Sequence, residues 1–244
     1  MKIWDSVILH IPHSSLVLPK EAIGDIFIPW ARLEREALET ADLFADDLFD
    51  LPAQSVQAQY SRLVCDLERF EDDGREPMAA IGQGVFYTHL TDGTEFRGAA
   101  MREWALANVY RPHHAALTAA VDEALAQDGH CLIIDCHSFS LPGEQPDFCI
   151  GVDEYHEPAA VSGAKDVLAK HGCSWRLNDP YAGAIVPLKH FRKDKRVKSF
   201  MVEVNRRLYL NDDFHKSASY GQIKAIVQEM CRASARLWTE SFQA

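Results

Sequence analysis

The sequence predicts an α/β fold of three layers, in which helices cover both faces of a central mixed sheet. Short apolar runs that end in polar residues alternate with longer stretches of helical periodicity, as strands and helices do in such folds. The 244 residues contain no repeat, no low-complexity stretch and no linker rich in Pro, Gly or Ser. We therefore expect one domain over residues 1–244.

Strands are predicted where short apolar runs are bounded by polar residues. The run CLIIDCHSF (131–139) is the clearest case, and SVILHI (6–11) is typical of a buried strand that enters a loop at Pro12. Further strands are expected at 56–67, 147–152, 174–178 and 199–205, with a loop and a short strand over 82–90. The sheet is therefore expected to contain about six strands.

Helices are predicted where apolar residues recur with a period near 3.6 residues. The stretch 31–50 shows this period, and so does an Ala-rich stretch over 98–127, in which Pro112 is a point where the helix could break. A helix is also expected over 158–171, and a long amphipathic helix over 216–241.

The composition argues against several classes of protein. The net charge is −11 and the only dense basic run, at 190–198, is interpreted as a solvated loop, so no nucleic-acid partner is expected. Six cysteines form no CxxC pair, which favours free thiols in a reducing compartment. The N-terminal segment is unlike a signal peptide, and no run approaches the ~18 to 20 apolar residues of a membrane span. We expect a cytoplasmic protein without a membrane partner.

Ionisable side chains collect where the predicted strands end. His13 follows the run SVILHI, His137 lies near the end of CLIIDCHSF, and Glu203 lies near the end of SFMVEVN. In α/β sheets the carboxyl ends of the strands are where ligands bind. Because burying such groups without a partner is costly, they are expected to face one another, water or an ion.

Two of these histidines are candidate metal ligands. A single histidine is more often an ordinary hydrogen-bonded residue, but His13 and His137 come from separate strand ends with acids nearby. Neutral imidazole is the commonest zinc ligand, and a catalytic zinc takes three protein ligands and a water. On the residues alone, a metal site and a structural role explain this pair equally well. Asp135 shares a strand face with His137 and is expected to orient its ring.

The third ligand is expected to be an acid of the 31–50 helix, where Asp42, Asp46 and Asp47 compete. Asp42 falls at the margin of the apolar stripe, whereas Asp46 and Asp47 point further from it. We favour Asp42 as the ligand and surface ion pairs for the other two, although Asp46 stays an alternative.

Glu203 and three arginines are candidates for catalysis and substrate binding. A Glu in a buried strand rarely stays unpaired, so Glu203 is either a general acid–base or the partner of an arginine. Arg62, Arg69 and Arg206 adjoin predicted strands, and their planar guanidinium groups match a carboxylate. Covalent catalysis is disfavoured, because the chain has no GxSxG motif and because Cys136 and His137 would point to opposite faces of a strand.

With these residues identified, the chain resembles the N-formylglutamate amidohydrolase family. The motifs that carry the resemblance occur in the family's order and span most of the chain. They are HIPHSSLVLP (10–19), DLFADDLF (42–49), SRLVCDLERF (61–70), GQGVFYT (82–88), YRPHHAAL (110–117), DCHSF (135–139), NDPYAG (178–183) and VEVNRRLY (202–209).

The resemblance implies a fold similar to that of zinc-dependent exopeptidases and hydrolysis of the formyl amide of an N-acylated acidic amino acid. It implies that His13, Asp42 and His137 bind Zn²⁺ and that Glu203 moves the proton. It also implies that Arg62 and Arg69 meet the substrate carboxylate or the oxyanion, and that Asn178 and Tyr181 line the pocket. Arg206 remains a further candidate for binding the substrate.

The sequence departs from the family pattern at two positions, where Ser15 replaces an expected Gly and Glu68 replaces an expected Asn. An added acid beside the expected carboxylate site disfavours an anionic substrate, so a shorter, neutral or basic N-acyl substrate is an alternative. Two other functions stay open, namely a zinc carboxypeptidase or deacylase on the same scaffold and a non-catalytic small-molecule binder.

Overall fold

A six-stranded mixed sheet supports most of the chain, and the computed structural model describes residues 3–242. The order across the sheet is β2-β1-β3-β6-β4-β5. β1, β3 and β6 run parallel, while β4 is antiparallel to β6 and parallel to β5. The strands are β1 (Val7–Ile11), β2 (Gln54–Gln57), β3 (Cys131–Phe139), β4 (Phe148–Gly151), β5 (Trp175–Leu177) and β6 (Val197–Asn205).

Six α-helices accompany the strands in the described residues. They are α1 (Trp30–Thr40), α2 (Ala45–Leu48), α3 (Arg102–Ala105), α4 (Arg111–Asp128), α5 (Pro158–Lys170) and α6 (Tyr220–Glu240). A π-helical turn (Leu106–Tyr110) joins α3 to α4, and 3₁₀ turns occupy Lys20–Ala22, Pro77–Ile81 and Arg206–Leu208. Within residues 3–242, every helix is too short or too polar to cross a membrane.

The chain forms two compact units. The sheet unit contains the residues up to Ile11, Phe44–Val56 and the residues from Leu117 onward. The loop unit contains Pro12–Leu43 and Gln57–Ala116. The single domain expected over residues 1–244 stays a prediction.

Alternation along the strands of the sheet unit directs successive side chains to opposite faces. On one face, Leu132 and Ile134 of β3 and Val202 of β6 pack with α2, α5 and α6. On the other face, Ile133 of β3 packs with the part of α4 that begins at Leu117. Helices therefore cover both faces of a mixed sheet, which confirms the predicted three-layer α/β fold.

The loop unit is held by its own apolar cores and by one buried arginine. Arg97 is 1% exposed. It donates to the carbonyl oxygens of Leu63 and Ala22, and its guanidinium lies over the Phe86 ring. Because these carbonyls come from separate segments, Arg97 ties together loops that lack a sheet of their own. The 61–67 segment, which carries Arg62 and Asp66, is positioned in this way.

Four predictions about elements differ from the structure. The short strand expected within 82–90 is only an isolated bridge between His89 and Glu95. The strand expected over 56–67 ends at Gln57, and the rest of that stretch forms turns. The helix expected over 31–50 is interrupted between Thr40 and Ala45, so Asp42 lies in a loop. The long helix does not break at Pro112. A π-helical turn precedes this residue, and the amide of Arg111 bonds the carbonyl of Leu106.

Candidate active site

The sheet unit brings His137 and Glu203 into one row. These residues lie opposite each other on the parallel strands β3 and β6. Their side chains share the face that carries Ile133, because all three positions have the same parity of alternation. Cys149 of β4 is the next residue in the row, beyond Glu203. Both His137 and Glu203 are buried, with 3% and 7% of their surface exposed.

Asp135 organises the imidazoles on this face. Its Oδ1 lies 2.8 Å from His10 Nδ1 and 3.1 Å from His137 Nε2, and its Oδ2 accepts a hydrogen bond from the amide of Ile185 at 3.1 Å. Burial alone would raise the pKa of Asp135, but the imidazoles of His137 and His10 hold it below its ordinary value. The expectation that Asp135 orients His137 agrees with this contact.

The loop unit brings His13 and Asp42 together. His13 Nδ1 lies 3.6 Å from Asp42 Oδ2, and the amide of Asp42 donates to the carbonyl of His13 at 2.9 Å. Asp42 is 2% exposed, whereas Asp46 is exposed. Asp47 binds Lys216 and Lys224 of the sheet unit. Of the three competing acids, only Asp42 faces His13 within the loop unit.

Asp66 is a buried carboxylate to which the sequence analysis gave no role. It accepts hydrogen bonds from Arg62 Nη2 at 2.6 Å and from the Tyr87 hydroxyl at 2.7 Å, and its Oδ1 lies 3.0 Å from His13 Nε2. Burial would raise the pKa of Asp66, but Arg62 and His13 keep it well below the usual range. Burial and the Asp66 charge raise the pKa of Tyr87 to about 12, which keeps its hydroxyl protonated as a donor.

The pKa of His13 reflects a competition of nearby charges. Burial lowers the pKa of His13, and the charge of Arg62 lowers it too. Asp66 and Asp42 raise the pKa by more than this, so it lies above its ordinary value of 6.5. Two carboxylates around one imidazole favour a bound positive charge. This electrostatic environment suits a metal cation as well as a proton.

The two arginines expected in this part of the site differ in their contacts. Arg62 is committed to Asp66 and also donates to the carbonyl of Thr40 at 3.2 Å. Arg69 Nε lies 3.9 Å from Asp66 Oδ2 and 4.0 Å from Glu76 Oε1, distances too long for hydrogen bonds. Arg69 therefore has more capacity than Arg62 to meet a ligand. Both roles in substrate binding stay predictions.

The remaining predicted residues lie in the sheet unit. Arg206 is buried and donates through Nε to Ser138 Oγ at 3.1 Å. The side chain of Asn178 accepts a hydrogen bond from the amide of Val152 at 2.8 Å. Tyr181 is 40% exposed, and its ring meets the edge of Phe139 at a centroid distance of 6.2 Å. Tyr181 can reach a ligand, whereas Asn178 and Arg206 are engaged in the fold.

The segment after β5 lies against the face that carries Glu203. The thiol of Cys149, the neighbour of Glu203, contacts the carbonyl of Tyr181 at 3.2 Å. Gly151 permits this approach, because a Cβ there would collide with the carbonyl of Gly183 and with Met201. Tyr181 is thereby placed on the same side of the sheet as Glu203.

Asp66, Tyr87 and His10 are the candidate site residues that sequence reasoning missed. Asp66 lies inside the apolar run LVCDL, and a carboxylate in such a run signals a buried partner. Arg62 precedes it by four residues, which is a second signal. Tyr87 carries no comparable signal, because an aromatic residue in an apolar run is an ordinary core residue. The signal for His10 was its position near the end of the run SVILHI, where an ionisable side chain needs a partner.

Comparison with known proteins adds independent information. The family model described as N-formylglutamate amidohydrolase matches residues 5–210 of this chain. The N-formylglutamate deformylase of Pseudomonas putida is 27% identical over 226 residues, which cover 84% of this chain and 82% of that protein. The N-formylglutamate deformylase of Pseudomonas aeruginosa is 27% identical over 199 residues, covering 73% of this chain and 74% of that protein.

Two solved structures share the fold. A crystal structure of N-formylglutamate amidohydrolase from Ralstonia eutropha JMP134 aligns with a TM-score of 0.82 at 20% identity, over 96% of this chain and 95% of that one. A gene product of Agrobacterium tumefaciens aligns with a TM-score of 0.69 at 18% identity, over 96% and 90% of the two chains. At such identities the likeness is one of fold.

Proposed function

The chain belongs to the N-formylglutamate amidohydrolase family, and from this membership we propose that it hydrolyses the amide of an N-formyl or other N-acyl amino acid such as N-formyl-L-glutamate. It is a hydrolase that acts on a C–N amide bond of a small molecule. We further propose that it acts in the cytoplasm without a nucleic-acid or membrane partner, as its composition predicts.

Zinc is the proposed cofactor, with His13, Asp42 and His137 as its ligands. Two imidazole nitrogens and a carboxylate oxygen form a donor set that suits catalytic zinc. Each imidazole has Nε2 beside a carboxylate, His13 at 3.0 Å from Asp66 and His137 at 3.1 Å from Asp135. An ionised carboxylate only accepts hydrogen bonds, so in the neutral ring the proton stays on Nε2 and Nδ1 carries the lone pair. Zinc bound there would supply Lewis-acid polarisation of the amide carbonyl and favour ionisation of water.

Different residues of the chain then transfer the proton and stabilise the negative charge. Glu203 accepts a proton from the water molecule as its oxygen attacks the carbonyl carbon. Arg69 stabilises the negative charge that develops on the carbonyl oxygen. Glu203 returns the proton to the amine nitrogen as the C–N bond breaks, which releases the free amino acid and formate. Tyr181 is proposed to contact the rest of the substrate, and Arg62, Asn178 and Arg206 are proposed to line its binding site from positions that their hydrogen bonds fix.

The observation that carries this proposal is the register of β3 and β6. His137 and Glu203 are paired across these strands and share one face. Adjacent strands are about 4.8 Å apart. His137 and Glu203 are therefore close enough to act on the same small molecule. A chance pair of buried groups would not need to lie at the carboxyl ends of parallel strands, where ligands of α/β proteins bind.

The proposal is tested by purifying the chain without chelator and measuring bound metal together with formate release from N-formyl-L-glutamate. About one zinc per chain, with formate release that is lost on metal removal and restored by zinc, is the expected result. Bound zinc without hydrolysis of any N-acyl amino acid would contradict the proposed activity. Failure to bind zinc even when it is added would contradict the ligand assignment.

Glu203→Gln tests the proton transfer separately. We expect this variant to keep its zinc and to lose at least about 100-fold in kcat, because general acid–base catalysis contributes roughly that much or more. The matched control is Glu144→Gln, the same change at an exposed loop position, which should leave kcat unchanged. Wild-type kcat in Glu203→Gln would remove Glu203 from this role.

A further inference from the structure

We propose that residues 178–185, which we term the wall segment, bound the part of the active site that receives the acyl group, and that Gly151 sets how close this segment lies to Glu203. The proposal rests on the proposed function and adds to it a selectivity for small acyl groups. All of the residues that carry it belong to the sheet unit.

The wall segment is fastened to β4 where it begins. Asn178 exchanges two hydrogen bonds with the backbone of β4 and of the residue after it, through its amide at 2.9 Å and its side-chain oxygen at 2.8 Å. Three residues further along, the carbonyl of Tyr181 accepts a hydrogen bond from the thiol of Cys149 at 3.2 Å. Because Cys149 is paired with Glu203, the wall segment passes beside Glu203 on the β4 side.

The wall segment then crosses the sheet toward β3. The carbonyl oxygen of Gly183 lies beside Gly151 of β4. The amide of Ile185 donates to Asp135 Oδ2 on β3 at 3.1 Å. Both contacts lie one row of side chains from Glu203, toward the amino end of β6, because Gly151 and Asp135 are paired with the residue two positions before it. The wall segment therefore bounds Glu203 on this side as well as on the β4 side.

The close approach of the wall segment depends on the missing side chain of Gly151. A Cβ at this position would overlap the carbonyl oxygen of Gly183 and would lie 2.9 Å from Met201 Cβ. A backbone oxygen cannot swing aside as the end of a flexible side chain can, and the surroundings are closely packed. Any other residue at position 151 would therefore displace the wall segment. Gly151 is in this sense a positioning residue, which acts on the substrate through the segment.

The geometry of the amide decides which part of the substrate faces the wall segment. Ligands of α/β proteins bind at the carboxyl ends of the strands, so the amino-acid part, with its α-carboxylate and side chain, is placed toward that end of β6. In a trans amide, the acyl substituent and the amino-acid carbon lie on opposite sides of the C–N bond. The acyl substituent therefore points the other way, toward the wall segment. A formyl hydrogen needs little room there, whereas a methyl group needs more.

The test compares kcat/KM for N-formyl-L-glutamate and N-acetyl-L-glutamate, which differ by one methyl group. We expect the wild type to favour the formyl compound by about 10-fold or more, as a pocket that rejects one such group does. In Gly151→Ala the displaced wall segment should raise KM for the formyl compound and raise the acetyl-to-formyl ratio of kcat/KM by about 5-fold or more. The variant should bind as much zinc as the wild type. Comparison between variants cancels the different intrinsic reactivities of the two amides.

Two glycines provide matched controls for the same substitution. A Cβ at Gly221, in the first turn of α6, would meet open space, so Gly221→Ala should leave both the stability and the ratio unchanged or nearly so. A Cβ at Gly163 of α5 would collide with the backbone of Ala233 in α6, on the opposite face of the sheet. Gly163→Ala should therefore lower the free energy of unfolding but keep the wild-type ratio.

Asn178 gives a second test that places no side chain in a packed region, because this residue is exposed. Asn178→Ala removes the acceptor that fastens the start of the wall segment, and it should raise the acetyl-to-formyl ratio. Asn178→Asp keeps an acceptor oxygen and tolerates the left-handed φ of +55°, so it should restore the wild-type ratio. These variants decide the question even where Gly151→Ala fails to fold.

The outcomes separate this proposal from the proposed function. Equal hydrolysis of the two compounds by the wild type, or a wild-type ratio in both Gly151→Ala and Asn178→Ala, would overturn the role of the wall segment while keeping the amidohydrolase. A change of the same size in Gly163→Ala would assign the effect to lost stability and overturn the role of Gly151. Failure of the wild type to hydrolyse any N-acyl amino acid would overturn the proposed function and this inference with it.

Discussion

His13 and His137 each face a buried acid through Nε2, Asp66 in one case and Asp135 in the other. Such a partner fixes the tautomer and the orientation of a ring. Two histidines with the same arrangement are more informative than two buried histidines alone, because a structural histidine needs no particular nitrogen to be kept available. At the scale of single residues, this shared arrangement supports the proposal that His13 and His137 bind a metal.

Asp42 and Asp46 offer a matched test of the third ligand, because they are near neighbours and differ in burial. We expect Asp42→Asn to weaken zinc binding by at least about 10-fold, since a neutral amide is a poorer ligand than a carboxylate. Asp46→Asn should bind zinc as the wild type does. The measurement is a zinc titration against a competing chelator. Equal affinities in the two variants would exclude Asp42 from the ligand set.

Sequence reasoning proposed His13, Asp42 and His137 as ligands and Asp135 as the partner of His137, but it did not find Asp66 behind His13 or the contact of His10 with Asp135. The candidate ligands follow from residue type and position near predicted strand ends, which a sequence displays. The contact between His10 and Asp135 joins residues 125 positions apart, and the contact between His13 and Asp66 spans 53. Such pairings depend on strand register and loop conformation, which local patterns do not specify.

At the scale of elements, apolar runs predicted the strands correctly where their apolar side chains are buried within the sheet. β3 is buried at all nine positions, so its run of apolar residues is continuous and easy to recognise. The stretch 56–67 is equally apolar, but Leu63 and Val64 are buried by the cores of the loop unit. Residues that are buried in loops are as apolar as residues that are buried in strands, which is why the strand predicted over 56–67 was wrong.

The predicted 31–50 helix failed for a conformational reason. Ala41 is extended, with φ of −73° and ψ of 149°, and this ends α1, while Phe44 adopts φ of +62°, in the left-handed region, just before α2 begins. Apolar spacing carries no information about this backbone reversal. The interruption frees Asp42 from a helix face and lets its amide bond the carbonyl of His13.

The short helix α2 is fastened to α6 by Asp47, and this contact predicts a pH dependence. Lys216, Lys224 and Tyr220 all bond Asp47 and lower its pKa below the ordinary value of 3.8. A group with a lowered pKa in the folded state stabilises the fold above the unfolded pKa, and the stabilisation is lost as pH falls through the folded value. We expect Asp47→Asn to lower the free energy of unfolding by about 1 kcal/mol at pH 7, a modest value because the site is partly exposed to screening solvent.

The measurement for Asp47 is urea unfolding at a series of pH values. The difference between the wild type and Asp47→Asn should shrink steadily as pH falls below about 4. Asp50→Asn, an exposed neighbour, serves as the control and should show a much smaller difference at pH 7. A difference for Asp47→Asn that is constant with pH would mean that packing, not charge, joins the two helices.

At the scale of the whole molecule, we compare the six cysteines with the expectation that all of them are free thiols. All are free, and five are buried, while Cys173 is partly exposed. Burial raises the pKa of Cys131 and of Cys231 to about 12, which suppresses their reactive thiolate forms. We expect a thiol reagent to modify one cysteine per native chain quickly, and all six after denaturation without reductant.

Cys173→Ser provides the control for this count, because it should remove the fast-reacting thiol and leave five that react only after denaturation. Mass spectrometry of the modified peptides identifies the residue. Fewer than six modified cysteines in the denatured wild type would reveal a disulfide and contradict the expected reducing compartment.

The sheet order has a consequence for synthesis on the ribosome. β1 lies inside the sheet and pairs with β3, which follows it by more than a hundred residues in the chain. At translation rates of ~5–20 residues per second, β1 waits several seconds or longer for this partner. β6 follows later still and supplies Glu203, so the row of His137 and Glu203 forms only after β6 has been made. Throughout that interval the unpaired backbone groups of β1 are open to pairing with other strands.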